Sequence, residues 1–117
     1  MATDTKGQAA EATAEAFLQS QGLRSICRNF RCKLGEIDLI MQDQQTLVFV
    51  EVRLRSNQRF AAAAESITWK KQQKILRAAQ VYLQQNRMTD TCPCRFDAVC
   101  LSHHQAQPEW IKNAFGY

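Results

Sequence analysis

Residues 35–55, GEIDLIMQDQQTLVFVEVRLR, constrain the fold more than any other stretch, because they read as a β-hairpin with two chemically different faces. Two alternating runs, Glu36 to Gln42 and Leu47 to Arg55, flank the polar segment Asp43 to Thr46, the pattern of two antiparallel strands and a short connection. The turn sets the register. With Gln44 and Gln45 at the tip, Asp38 stands opposite Glu51 and Glu36 opposite Arg53, all on one face. The other face then carries Ile37, Leu39, Met41, Val48, Val50, Val52 and Leu54, an apolar surface that has to pack on a core.

Two carboxylates directly opposite one another cost a sheet roughly a few tenths to 1 kcal/mol, so their placement asks for a reason. A bound divalent cation is one. Mg²⁺ is held through one or two carboxylates together with waters and phosphate oxygens, and an Asp and a Glu side by side suit it. The alternative is a solvated polar face on which Glu36 pairs with Arg53 and Asp38 is simply exposed. Spacing leaves both readings open, since a one-residue slip would separate the carboxylates.

The chain of 117 residues is expected to form a single domain, 1–117. No apolar run approaches the roughly 20 residues that span a bilayer. The N-terminus, MATDTKGQAAEATAEAF, lacks the apolar centre of a signal peptide, so the expected location is the cytoplasm, with no membrane partner. Five cysteines, an odd number, argue against a complete disulfide framework. Cys92-Pro93-Cys94 is tighter than the CxxC of a common zinc pair, and Cys27 and Cys32 are wider, so a zinc site made of these with Cys100, His103 or His104 is the lesser reading; in the plainer one Cys100 is a small buried hydrophobe.

Around the hairpin, residues 6–21 read as a helix with Ala10, Ala14, Phe17 and Leu18 on one stripe, Glu11 at its border and Gly22 as a stop. A weakly patterned strand follows at 25–31. Thr68 is a good N-cap for a second helix through about Gln85, with Ile75, Leu76, Ala79, Tyr82 and Leu83 at helical spacing, expected to cover the hairpin's apolar face. Strands are expected at 94–101 and 109–115. The result is an α/β fold, a mixed β-sheet flanked by helices.

Charge is uneven on it. Between Arg53 and Arg87 eight basic residues face one acid, Glu65, a net +7 within a chain of net +4. Lys70, Lys74 and Arg77 share one side of the second helix, and Arg53, Arg55 and Arg59 lie beside the carboxylates in sequence. A polyanion fits this surface, although a basic helix face can also be merely solvated. Phe60, Trp69 and Trp110 are candidates for stacking on bases or for a dimer contact, with ordinary packing the plainer reading.

Several blocks in order resemble the YraN-like family of uncharacterised bacterial proteins and, through it, the restriction-endonuclease-like nucleases: AEATAEAFL (10–18), RNFRCKLGEIDLI (28–40), LVFVEVRLR (47–55), ITWKKQQKILRAAQVYL (67–83) and CRFDAV (94–99). The resemblance implies a restriction-endonuclease-like three-layer core. It also implies a Mg²⁺- or Mn²⁺-dependent endonuclease acting on nucleic acid, DNA before RNA, with branched recombination intermediates among its substrates. Carried across by position, Asp38 and Glu51 would be metal ligands, Glu11 the helix carboxylate, and Arg53 would stand where the nucleases usually have lysine. Arg55, Arg59, Lys70, Lys74 and Arg77 would contact phosphates, and a symmetric substrate would call for a homodimer. Arginine grips phosphate bidentately, but with a pKa above about 12 it is a poor proton acceptor. The alternative is therefore a nucleic-acid-binding module of nuclease fold that no longer cuts.

Overall fold

A turn of only Gln44 and Gln45 forces the strands on either side of it to run antiparallel, and this hairpin is the centre of the fold. The computed structural model describes residues 5–55, 67–88, 92–102 and 107–117, apart from the side chains of Thr5, Lys6 and Arg55. The element order is α1 (Thr5–Ser20), β1 (Arg24–Cys32), β2 (Gly35–Asp43), β3 (Thr46–Arg55), α2 (Trp69–Gln85), β4 (Cys94–Ser102) and β5 (Glu109–Phe115). Each element expected from the sequence is present, with ends moved by a residue or so. The five strands form one sheet in the order β1-β2-β3-β4-β5, antiparallel except between β3 and β4. A parallel neighbour cannot be reached by a tight turn, so the chain crosses over through α2.

Local sequence accounts for both helices. Gly22, at φ 100°, ends α1 in a backbone conformation open to glycine, and the Leu23 N–H returns to the Leu18 carbonyl at 3.1 Å. At the start of α2 the Thr68 hydroxyl accepts the Lys71 N–H at 3.1 Å, as an N-cap should. Among the described residues no helix is long and apolar enough to cross a membrane.

The layers correct two expectations. Ala14 and Leu18 of α1 pack on Leu39, Met41, Val48, Val50 and Val99, so the anticipated apolar face is covered by α1 and not by α2. The opposite face is not polar throughout: Ile40, Leu47 and Phe49 lie there, with Phe96, under Ile75, Leu76, Ala79 and Leu83 of α2. β2 and β3 are central strands buried on both sides, and such strands replace alternation by continuous apolar runs, here 39–41 and 47–50. Ile37 also departs from its expected face by joining the α2 layer, and Leu54, near the end of β3, is 40% exposed.

The far edge is tied by a group that the sequence reading did not single out. Asp97, fully buried on β4, accepts Trp110 Nε1 at 3.0 Å, the Asn113 N–H at 2.9 Å and Arg95 Nε at 3.1 Å. The β4–β5 register shifts between Phe96 and Ala98, and the carboxylate satisfies donors that the irregular ladder leaves over. Trp110, edge-on to Phe17 at 6.2 Å, is partly buried as packing requires, whereas Trp69 is 72% exposed, against the packing expected of it.

Candidate functional site

β2 and β3 pair from Asp43–Thr46 up to Leu39–Val50, in the expected register, and the pairing stops one step short of Asp38 and Glu51. On the other edge of β2, the register that joins Arg28 to Leu39 and Phe30 to Ile37 skips Asn29 and Asp38. Asn29 adopts a left-handed backbone, φ 54°, which asparagine tolerates better than most residues. Alternation breaks at the same place, since Ile37 and Leu39 are two apart yet belong to opposite layers. Freed from the ladder, Asp38 sits where the strands fork, and its Oδ2 accepts the Val52 N–H at 2.9 Å.

Three acidic side chains meet around this fork. Glu51, on the central strand β3 beside Ala98 of β4, has a side chain only 3% exposed. Its carboxyl comes within hydrogen-bonding reach of Asp38, and so does that of Glu11 from α1. Burial first, and then the Asp38 charge, push the Glu51 pKa up to about 8, against the pull of Lys71 and Arg53. Burial and Asp38 also raise Glu11, while a hydrogen bond with Asn29 lowers it. The Arg53 guanidinium lies 3.5 Å and the Lys71 ammonium 3.4 Å from Glu51 Oε2. Glu36 pairs with Arg31 across β1 and β2 at 3.1 Å, rather than with Arg53, and touches the cluster only as the smallest of the charges that raise Glu11.

An acid-rich cluster built on a buried glutamate gains from any positive charge, whether a proton, a side-chain cation or a metal ion. The donors are hard carboxylate oxygens of the type Mg²⁺ and Mn²⁺ take. Among the described residues, no three Asp, Glu, His or Cys side chains already surround one point closely enough to hold an ion; the sharing is pairwise through Asp38. The five cysteines are free thiols, four partly buried and Cys100 buried as anticipated.

The basic residues separate. Lys70, Lys74 and Arg77 are all exposed on α2. Lys74 lines a cleft against the β1–β2 turn, while Arg77 lines a different hollow beside Tyr117. The Arg55 side chain, Arg59 and Phe60 lie outside the described residues, as do His103 and His104. Lys71 is not among the residues that helical spacing singles out, because it sits between the exposed Lys70 and Lys74 and turns toward β3. The signal available was a glutamate flanked by valines on a strand, which needs a cation from some other element.

The uncharacterised protein family UPF0102 matches over residues 10–101. A UPF0102 protein of Nitrosospira multiformis is 56% identical over 111 residues, covering 94% of this chain and 92% of the relative. One from Saccharophagus degradans is 54% identical over 109 residues, covering 93% and 91%. One from Psychromonas ingrahamii is 49% identical over 114 residues, covering 97% and 92%. A match spanning the helix that carries Glu11, the forked hairpin and the crossover helix shows that the chain belongs to the UPF0102, or YraN-like, family.

Proposed function

We propose that this protein is a Mg²⁺- or Mn²⁺-dependent endonuclease of the cytoplasm that hydrolyses phosphodiester bonds in DNA, branched DNA included. The observation that carries the reading is Glu51: nearly inaccessible, raised to about 8, and within reach of a second carboxylate at a break in the sheet. Strongly shifted acids beside a specific charge partner cluster at working sites. Asp38 and Glu51 would hold the metal, assisted by Glu11. Bound there, the ion would supply charge neutralisation at the scissile phosphate and a lowered pKa for attacking water. The chain's own residues do the rest. The Val52 amide orients Asp38, and Arg53 and Lys71 beside Glu51 offer cations to the charge that develops on phosphate. A two-fold symmetric substrate would be met by two copies of the chain.

The test compares wild type with Glu51→Gln on labelled single-stranded, duplex and four-way-junction DNA, with and without Mg²⁺ or Mn²⁺. Metal-dependent cutting by wild type that vanishes in the variant, with binding retained, is the expected outcome.

A second reading is a nucleic-acid-binding module that does not cut. It is favoured by one observation: two side-chain cations already stand within 3.5 Å of Glu51, so the carboxylate has partners without a metal. Binding by both proteins with cleavage by neither decides for it.

A further inference from the structure

Between the β1–β2 turn and the first turns of α2 lies a cleft of about 370 Å³ lined by Arg31, Lys33, Leu34, Glu36, Lys71 and Lys74 among others. Gly35 makes it. A β-carbon there would stand 2.7 Å from the Lys74 carbonyl oxygen, so only a glycine lets the start of β2 lie this close to the helix backbone. That approach fixes the turn residues Lys33 and Leu34 beside the helix residues Lys71 and Lys74.

The charges are lopsided. Four cations face one carboxylate, and that carboxylate, Glu36, is engaged by Arg31 at 3.1 Å. Lys33 and Lys74 form no ion pair among the described residues. Leu34, 49% exposed, adds an apolar surface to the same wall. Lys71 belongs to both places: it lines the cleft and reaches Glu51 at 3.4 Å, so cleft and carboxylate cluster are continuous.

We infer that this cleft is a phosphate-binding subsite that holds the nucleic-acid backbone next to the scissile phosphate, with Lys33 and Lys74 as its principal contacts and Lys71 at the junction. The inference rests on the reading of the carboxylate cluster as a nuclease site. A phosphodiester strand is the ligand that fits, because it repeats a negative charge along its length and carries apolar sugar and base surface between charges, matching the lysines and Leu34. Backbone contacts of this type position a substrate without reading its sequence. The cleft therefore sets where along a strand the cut falls and contributes little to base preference.

The test is fluorescence anisotropy with a labelled 20-nucleotide single strand, and with the same strand in duplex, in EDTA so that nothing is cut. Wild type is compared with Lys33→Glu/Lys74→Glu and with Arg87→Glu, a reversal beyond the far end of α2, each checked for an unchanged melting curve. The double variant is expected to bind at least tenfold more weakly at 0.1 M salt, and its log–log salt slope to flatten by between about 1.4 and 1.8, two phosphate contacts' worth. Arg87→Glu should stay within about twofold. Equal weakening by both variants, an unchanged double variant, or no binding by wild type at low salt overturns the subsite. Failure of the nuclease reading is separately visible: it leaves the lysine-dependent binding intact while neither wild type nor Glu51→Gln cuts. Failure of the subsite alone leaves Glu51-dependent cutting intact while the lysine reversals change nothing.

Discussion

Replacing Glu51 by glutamine is expected to make the protein more stable at pH 8 and no more stable at pH 4.5. In the unfolded chain the carboxyl titrates near its ordinary 4.5, whereas the fold raises it to about 8. The folded state therefore holds the proton more tightly. The stability linked to that proton is fully present below pH 4.5 and is lost as the pH climbs through 8. At 1.36 kcal/mol per pKa unit, the loss between pH 4.5 and pH 7 is on the order of 3 kcal/mol. The side chain is only 3% exposed, so solvent does little to screen it. Glutamine keeps the shape, offers Asp38 a donor where the protonated acid would, and forfeits two ion pairs worth about 0–1 kcal/mol each. For a chain of 117 residues, an unfolding entropy of about 2.1 cal/mol/K per residue turns a net gain of about 1–3 kcal/mol at pH 7 into roughly 4–12 °C. Melting both proteins in EDTA from pH 4.5 to 8 should show the curves diverging as pH rises. Adding Mg²⁺ at pH 8 should then lift wild type and leave the variant where it was. A variant that melts below wild type at pH 8 refutes the argument, since it would mean that Arg53 and Lys71 hold Glu51 ionised as a net stabilising pair.

Other substitutions probe the frame around the site. Asp97→Ala strands the Trp110 and Asn113 N–H groups and the Arg95 guanidinium, and should cost about 3–5 kcal/mol in a urea titration, with loss of the β4–β5 contact first. Gly35→Ala sets a methyl against the Lys74 carbonyl and is expected to cost about 1–3 kcal/mol by the same measurement. Thr68→Ala removes the α2 cap for about 1 kcal/mol, read as a drop in melting temperature of several degrees. Burial and the neighbouring Cys92 push the Cys94 thiol up to about 11, so iodoacetamide at pH 8 should leave Cys94 unlabelled until the chain is unfolded, as peptide mapping would show.

How far the sequence could be read depended on the range of the interaction involved. Gly22, Thr68 and the Gln44-Gln45 turn act on their own neighbours, so the helix ends and the hairpin register were legible. The faces of the hairpin were not. Whether Ile40 and Phe49 meet water or a helix is settled by α2, which arrives from a distant part of the chain. The same holds for the site. Asp38 and Glu51 could be matched from the turn length, but the fork that frees Asp38 needs the Asn29 kink on a third strand, and the second cation at Glu51 comes from α2. Asp97 carried a local hint, an acid inside an apolar strand, whose partners on β5 were 13 and 16 residues away.

The parallel contact between β3 and β4 has a consequence for the chain as it is made. Strands β1 to β3 can zip together through tight turns, but Leu47 meets its partner Cys94 only after the intervening crossover has been synthesised. Until then one edge of Leu47–Val52, a run rich in β-forming apolar residues, lies open to pairing with another nascent chain. Glu51 is the only charge in that run. Ionised in water before the fold closes over it, it acts as a gatekeeper against aggregation. A chain cut short before Cys94 would keep that edge permanently unpaired, and its fate should be inclusion bodies.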